Sequence, residues 1–253
     1  MSAGRADDLA AVAVVVPVHN EAALLNDCLV ALSAALAHTA RTHPHVRVAA
    51  VVVLDACTDA SEDIARSWPL RTLRIDARNV GTARRVGVTA ALAALGEMPS
   101  SGIWVCTTDG DSTVPTTWLS HQLELRAAGA DVVLGTVRPD FADLTAEHAA
   151  HWVATHPRGR PAGNVHGANL GLRADIYTVV GGFADLDQHE DVELVRAARD
   201  LGARVVATDE NEVVTSGRFW GRTPGGYAAF VRATHERIAG VAASAPAGAS
   251  QLT

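Results

Sequence analysis

The sequence predicts an α/β fold with a mostly parallel central sheet flanked by helices, and three observations carry that prediction. The first strand-like runs, VAVVV at Val12–Val16 and VRVAAVVVLD at Val46–Asp55, are apolar almost throughout, which suits strands covered on both faces. Each run is followed by a segment with apolar positions at helical spacing, the alternation that builds a parallel sheet with crossover helices. Acids then stand just past the strand ends (Glu21, Asp55, Asp109 and Asp111), where open parallel sheets bind their ligands.

Taken in order, Val12–Val16 reads as a strand that Pro17 ends, and HNEAALLNDCLVALSAALA as a loop leading into a helix. After the second strand, CTDAS turns and EDIARSW is helical. TLRID, Thr72–Asp76, is a third strand; ARNVG turns, and a helix runs from about Thr82 to Leu95. IWVC is a strand that delivers the aspartates of TTDGDS. TTWLSHQLELRAAG predicts a helix and ADVVLGTV a strand. Arg158–Gly167, rich in Gly and Pro, is a loop, and RADIYTVVGGF is a short helix stopped by paired glycines. EDVELVRAARDLG is an amphipathic helix with Gly202 at its C-cap, ARVVAT a late strand, and SGRFWGRTPGG a loop. A single domain over 11–240 is expected, with disordered tails at 1–10 and 241–253.

Composition bounds the function. At 253 residues and 48% hydrophobic, the chain can bury a sizeable core. A net charge of -7, with the basic residues scattered, gives nucleic acid no electrostatic footprint. Three cysteines, Cys28, Cys57 and Cys106, without CxxC spacing point away from a disulfide framework or a zinc site and toward a reducing cytoplasm. No apolar run approaches the length of a membrane span, so no transmembrane segment is expected. A cytoplasmic protein follows, with a peripheral position at the inner face of the membrane left open.

No GxGxxG follows the first strand and no GxxxxGK[ST] occurs, so phosphate would have to be neutralised by other means. Asp109 and Asp111, one residue apart in a turn, with nothing nearby in sequence to neutralise them, can offer hard oxygens to Mg²⁺ or Mn²⁺, cations that take one or two carboxylates plus substrate phosphates. Acids in turns more often serve as caps or solvated corners, so this spacing alone decides little.

Six blocks in order change that weighting: VVVPVHNE, VVVLDACTDAS, ARNVGTARRVGV, WVCTTDGDS, HGANLGLRADIYTVVGGF and HEDVELVRAARDLG. Together, over about Val12–Arg232, they resemble the family 2 inverting glycosyltransferases of the GT-A fold, a Rossmann-like nucleotide-binding domain. The resemblance implies a hexosyltransferase-like enzyme. Its donor would be a nucleotide diphosphate sugar and its acceptor a small-molecule or lipid-linked hydroxyl. By the same resemblance Pro17, Asn20 and Glu21 line the nucleotide pocket, Asp55 contacts the base, and Arg78 or Arg84 reaches phosphate or base, with Gly81 admitting a close backbone approach. It also implies that Asp109 meets the ribose and the metal, that Asp111 binds the metal, and that Asn169, with Ala168, lies near the sugar. The Glu190–Asp191 pair resembles the family's catalytic-base block, which implies that Asp191 takes the acceptor proton. The Gly between Asp109 and Asp111 stands where Ala is commoner.

Arg218 and Arg222, among glycines, could clamp the diphosphate; an aromatic anchor through Trp220 is the plainer reading of the same loop. His166 and His189 flank matched blocks as candidate substrate contacts. His38, His43 and His45 read as loop histidines, and His148 and His151 as one face of a helix. The acids Glu190 and Asp191 could instead serve only as a favourable first helical turn. Two rival functions remain open: a nucleotidyltransferase, which normally needs a Gly-rich basic loop that PVHNEAAL lacks, and a domain that binds nucleotide sugar without turnover.

Overall fold

A computed structural model describes residues 9–186, 188–221 and 226–244. The alternation expected from sequence is present: β1 (Ala11–Val18), α1 (Leu25–Thr42), β2 (Arg47–Asp55), α2 (Ser61–Arg66), β3 (Arg71–Ile75), α3 (Val80–Leu95) and β4 (Ile103–Thr107). There follow β5 (Ser112–Thr113), α4 (Trp118–Ala127), β6 (Val132–Pro139), α5 (Ala146–Thr155), β7 (Leu170–Arg173), α6 (Ala174–Val179), α7 (Glu190–Asp200), β8 (Val205–Thr215) and α8 (Tyr227–Ser244). Residues up to Arg138 together with Arg158–Thr215 make one compact unit; Pro139–Pro157 and the residues from Ser216 make a second.

The sheet order is β3-β2-β1-β4-β7-β6-β8-β5. Strands β3, β2, β1 and β4 are parallel, β7 runs antiparallel between β4 and β6, and β6 therefore returns to the direction of β4. All eight residues of β1 are buried, as a strand covered on both faces requires. Helix α3 lies close on β1 and β2 because Gly87 has no side chain: a Cβ there would stand 2.3 Å from Val15 Cγ1.

Several expectations are corrected. Pro17 lies inside β1 rather than ending it, because β4 stops pairing at Thr107, opposite Val15, so the donor that proline lacks falls where no neighbour strand asks for it. Its carbonyl still accepts from Gly110 N at 3.3 Å. The antiparallel β7 and two-residue β5 were not expected as strands, nor α8 as a helix. Gly202, at φ 86°, sits one residue past the C-cap Leu201, where a left-handed residue ends a helix. Residues 241–244, expected as disordered, continue α8; 1–8 and 245–253 lie outside the described residues. No helix among the described residues is long and apolar enough to cross a membrane.

Candidate active site

The first unit gathers its acids at the carboxyl ends of β1, β2 and β4. Past β1, Asn20 adopts a left-handed conformation, φ 54°, which asparagine tolerates better than most residues. Its Oδ1 accepts from Thr58 N at 2.7 Å, tying the loop after β1 to the loop after β2. Glu21 is buried, and its N–H donates to Ser61 Oγ at 2.8 Å.

Asp55, at the end of β2, is also buried. Its Oδ1 accepts from Ala77 N and Arg78 N at 2.7 and 2.8 Å, and its Oδ2 from Asn79 N at 2.8 Å. Three backbone donors thus hold the turn before α3, including Arg78 at φ 52°. Asn79 in turn caps α3, accepting from Thr82 N at 2.8 Å, which is why the helix begins at Val80, two residues before the expected start. Arg78 itself is exposed, 3.6 Å from Asp76.

One turn into α3, Arg84 points inward and is 4% exposed. Its Nη2 donates to Asp109 Oδ1 at 2.6 Å, and its Nη1 to Glu190 Oε1. Asp109 is therefore neutralised from 25 residues away, although nothing adjacent in sequence does so. Burial alone would lower the Arg84 pKa, but Asp109, Glu190 and Asp191 together hold the guanidinium charged and raise it. For Glu190 burial prevails: its carboxyl is pushed up despite Arg84.

Gly110 follows from packing. A Cβ at this position would stand 2.9 Å from Val18 Cγ2 and 3.2 Å from the Pro17 carbonyl, so the turn closes on β1 only with glycine between the aspartates. Asp111 Oδ1 accepts from Thr215 Oγ1 at 3.1 Å, with Ser112 Oγ at 3.1 Å as well. Burial first, then the negative charge of Asp111 and Asp109, push the Cys28 thiol up.

Glu190 and Asp191 open α7 behind His189, which is left-handed at φ 65°. Asp191 Oδ2 accepts from Gly167 N at 2.6 Å and its Oδ1 from Val192 N at 2.8 Å. Gly167, in a 3₁₀ turn before β7, accepts from Thr107 Oγ1 at 2.6 Å, linking the end of β4 to Asp191. Gly81 lets this side close, since a Cβ there would lie 2.3 Å from Ala184 O and 3.2 Å from Glu190 Cβ.

Asn169 lies within the core. At 2% exposed, it accepts from Trp118 Nε1 and donates to the carbonyls of Thr136 and Asn211, each at 2.9 Å. Arg218 belongs to the second unit, and its backbone N–H donates to Ser216 Oγ at 3.3 Å. Arg222 lies outside the described residues. His189 is exposed and His166 half-buried. Sequence reasoning missed Thr107, Gly167 and Thr215; no local pattern marks them, because each acts on a residue 24 or more positions away.

Among the described residues no three His, Cys, Asp or Glu side chains are arranged to hold a metal. The turn instead presents two acids: Asp109, one-third exposed with one oxygen on Arg84, and Asp111. That donor set fits Mg²⁺ or Mn²⁺ completed by phosphate and water, rather than a cation caged wholly by protein.

The fold is of the GT-A type. The chain belongs to Glycosyl transferase family 2, whose profile matches residues 13–184. No curated protein matches it significantly. Solved structures share the fold. Staphylococcus aureus TarS 1-349 in complex with UDP is 16% identical with a TM-score of 0.56, covering 82% of this chain and 60% of that one, so this chain spans less than two thirds of it. The mannosyltransferase PcManGT of Pyrobaculum calidifontis, in complex with GDP-Man and Mn²⁺, is 18% identical with a TM-score of 0.56, covering 96% of this chain and 76% of that one. Glucosyl-3-phosphoglycerate synthase of Mycobacterium tuberculosis, with Mn²⁺, UDP and phosphoglyceric acid, is 14% identical at a TM-score of 0.52, covering 93% and 80%.

Proposed function

We propose that the protein is an inverting, divalent-metal-dependent glycosyltransferase that moves a sugar from a nucleotide diphosphate sugar to a hydroxyl acceptor, small or lipid-linked. The observation that carries the reading is the gathering of Asp109, Glu190 and Asp191 about one guanidinium at the carboxyl ends of the strands, with Asp111 two residues beyond Asp109. The Mn²⁺ and nucleotides held by PcManGT and the synthase support the same chemistry. A cytoplasmic enzyme, with a peripheral place at the inner face of a membrane, suits such an acceptor.

The loops after β1 and β2, joined through Asn20 and braced by Asp55, cradle the nucleotide, with Pro17, Glu21, Gly81 and Arg78 at its edge. Asp109 and Asp111 supply the hard oxygens. When bound, Mg²⁺ or Mn²⁺ neutralises charge on the departing diphosphate. Asp191, oriented by the Gly167 N–H, accepts the proton of the acceptor hydroxyl. The new bond forms at the anomeric carbon as its bond to the β-phosphate oxygen breaks on the opposite face, so one displacement inverts the centre.

Asp191→Asn tests this. Transfer should fall about 10²- to 10⁴-fold, the usual worth of a positioned base, while metal-dependent binding of UDP or GDP stays within a few-fold of the parent. Asp111→Asn should instead weaken that binding. Retained transfer in Asp191→Asn would remove it as the base. Nucleotide binding without any turnover in the parent would favour a binding domain.

A further inference from the structure

We propose that Arg84 is a positioning residue that ties the donor-side acid Asp109 to the acid-bearing N-terminus of α7, holding the two sides of the site at a fixed spacing. The roles of Asp109 and Asp191 rest on the function proposed above; the clamp itself rests on geometry. A guanidinium is a rigid planar fork with several donors, and here its two Nη atoms go to acids 25 and 106 residues away in sequence. Buried and bonded to both acids, it is spent on the protein's own carboxylates rather than offered to a ligand.

The backbone is cut to admit it. Gly81 and Gly87 lie three residues before and after Arg84, on the same inward stripe of α3. The first lets the Ala184 carbonyl and Glu190 close in; the second lets the helix sink onto Val15 and Val53. Gly167 clears the guanidinium itself: a Cβ there would stand 2.3 Å from Nη2. The same Gly167 donates its N–H to Asp191 Oδ2. A shift of Arg84 therefore reaches Asp109 directly, and Asp191 through both Glu190 and Gly167. On this account Glu190 acts through Arg84 and is not the proton acceptor.

Arg84→Lys tests the clamp, because one ammonium keeps the charge but cannot span both acids in the same geometry. In a folded variant, hydrogen exchange should rise together at 107–111 and 189–193, whether or not the protein turns over. Affinity for UDP with Mn²⁺ and kcat should each fall at least tenfold, and the pH profile of kcat should keep its shape. Glu190→Gln, which keeps an acceptor oxygen for Nη1, should retain more of both than Glu190→Ala. Should Arg84→Lys not fold, Gly167→Ala displaces the guanidinium without removing a charge and should show the same joint loss. Exchange rising at only one segment, or affinity lost with kcat intact, overturns the clamp. Asp191→Asn retaining transfer would sink the proposed function while leaving the exchange result to decide the clamp.

Discussion

Replacing Asn169 with alanine separates a core role from a sugar contact. The side chain makes three hydrogen bonds, each 2.9 Å, and is 2% exposed. Asn169→Ala strands the Trp118 indole N–H and takes a donor from each of the Thr136 and Asn211 carbonyls. A buried polar group left without its partner costs about 1–3 kcal/mol, so the three together should cost roughly 3–9 kcal/mol. That is a large share of the ~5–15 kcal/mol that holds a domain folded. For a chain of this size it corresponds to a midpoint lower by roughly 6–36 °C. Urea unfolding gives the loss directly, and Trp118→Phe, alone and combined with Asn169→Ala, isolates the indole share as a coupling energy. Titration of nucleotide sugar at a temperature where the variant is still folded supplies the second readout. A loss below about 1 kcal/mol together with weakened donor binding would refute the core assignment and return Asn169 to the sugar.

Gly110→Ala forces a Cβ to within 2.9 Å of Val18 Cγ2. Overpacking of this kind costs about 1–3 kcal/mol and should weaken metal-dependent nucleotide binding by moving both aspartates; adding Val18→Ala should restore part of it, and no recovery would place the fault elsewhere. His148 is buried in the second unit, its ring 5.7 Å from that of His235 and 6.4 Å from Phe219, and neither of its ring nitrogens has a hydrogen-bond partner among the described residues. Burial first, then His235 and His151, lower its pKa below 6.5. The unfolded chain therefore takes up the proton more readily, so stability present above pH 6.5 is lost as pH falls through the lowered value. Denaturant unfolding at pH 8 and pH 5 should show the parent losing stability relative to His148→Leu as the pH falls; a constant difference between the two would show that His148 does not titrate on unfolding.

The parallel half of the sheet was legible in the sequence because its signals are local. Wholly apolar runs such as VAVVV, helical spacing after them and glycines at helix ends depend only on near neighbours, and they located β1 to β4, α1 to α4 and α7 to within a few residues. The acids were legible for the same reason, since each stands at a visible strand end or helix start. What each acid touches was not. Asp55 looked like a ligand for a base, yet three N–H groups 22 to 24 residues away bond its oxygens. Asp109 looked unneutralised, but Arg84 reaches it from α3. Strand β7 has four residues and β5 two, too few for a period to register, and both form because neighbours already in place supply their hydrogen bonds. Periodicity determines which face of an element is buried and so determines the layers of the fold. Which side chains then meet in the site depends on how deeply a helix sinks onto its sheet, here through glycines at 81, 87 and 167 whose neighbours only the folded chain brings within reach.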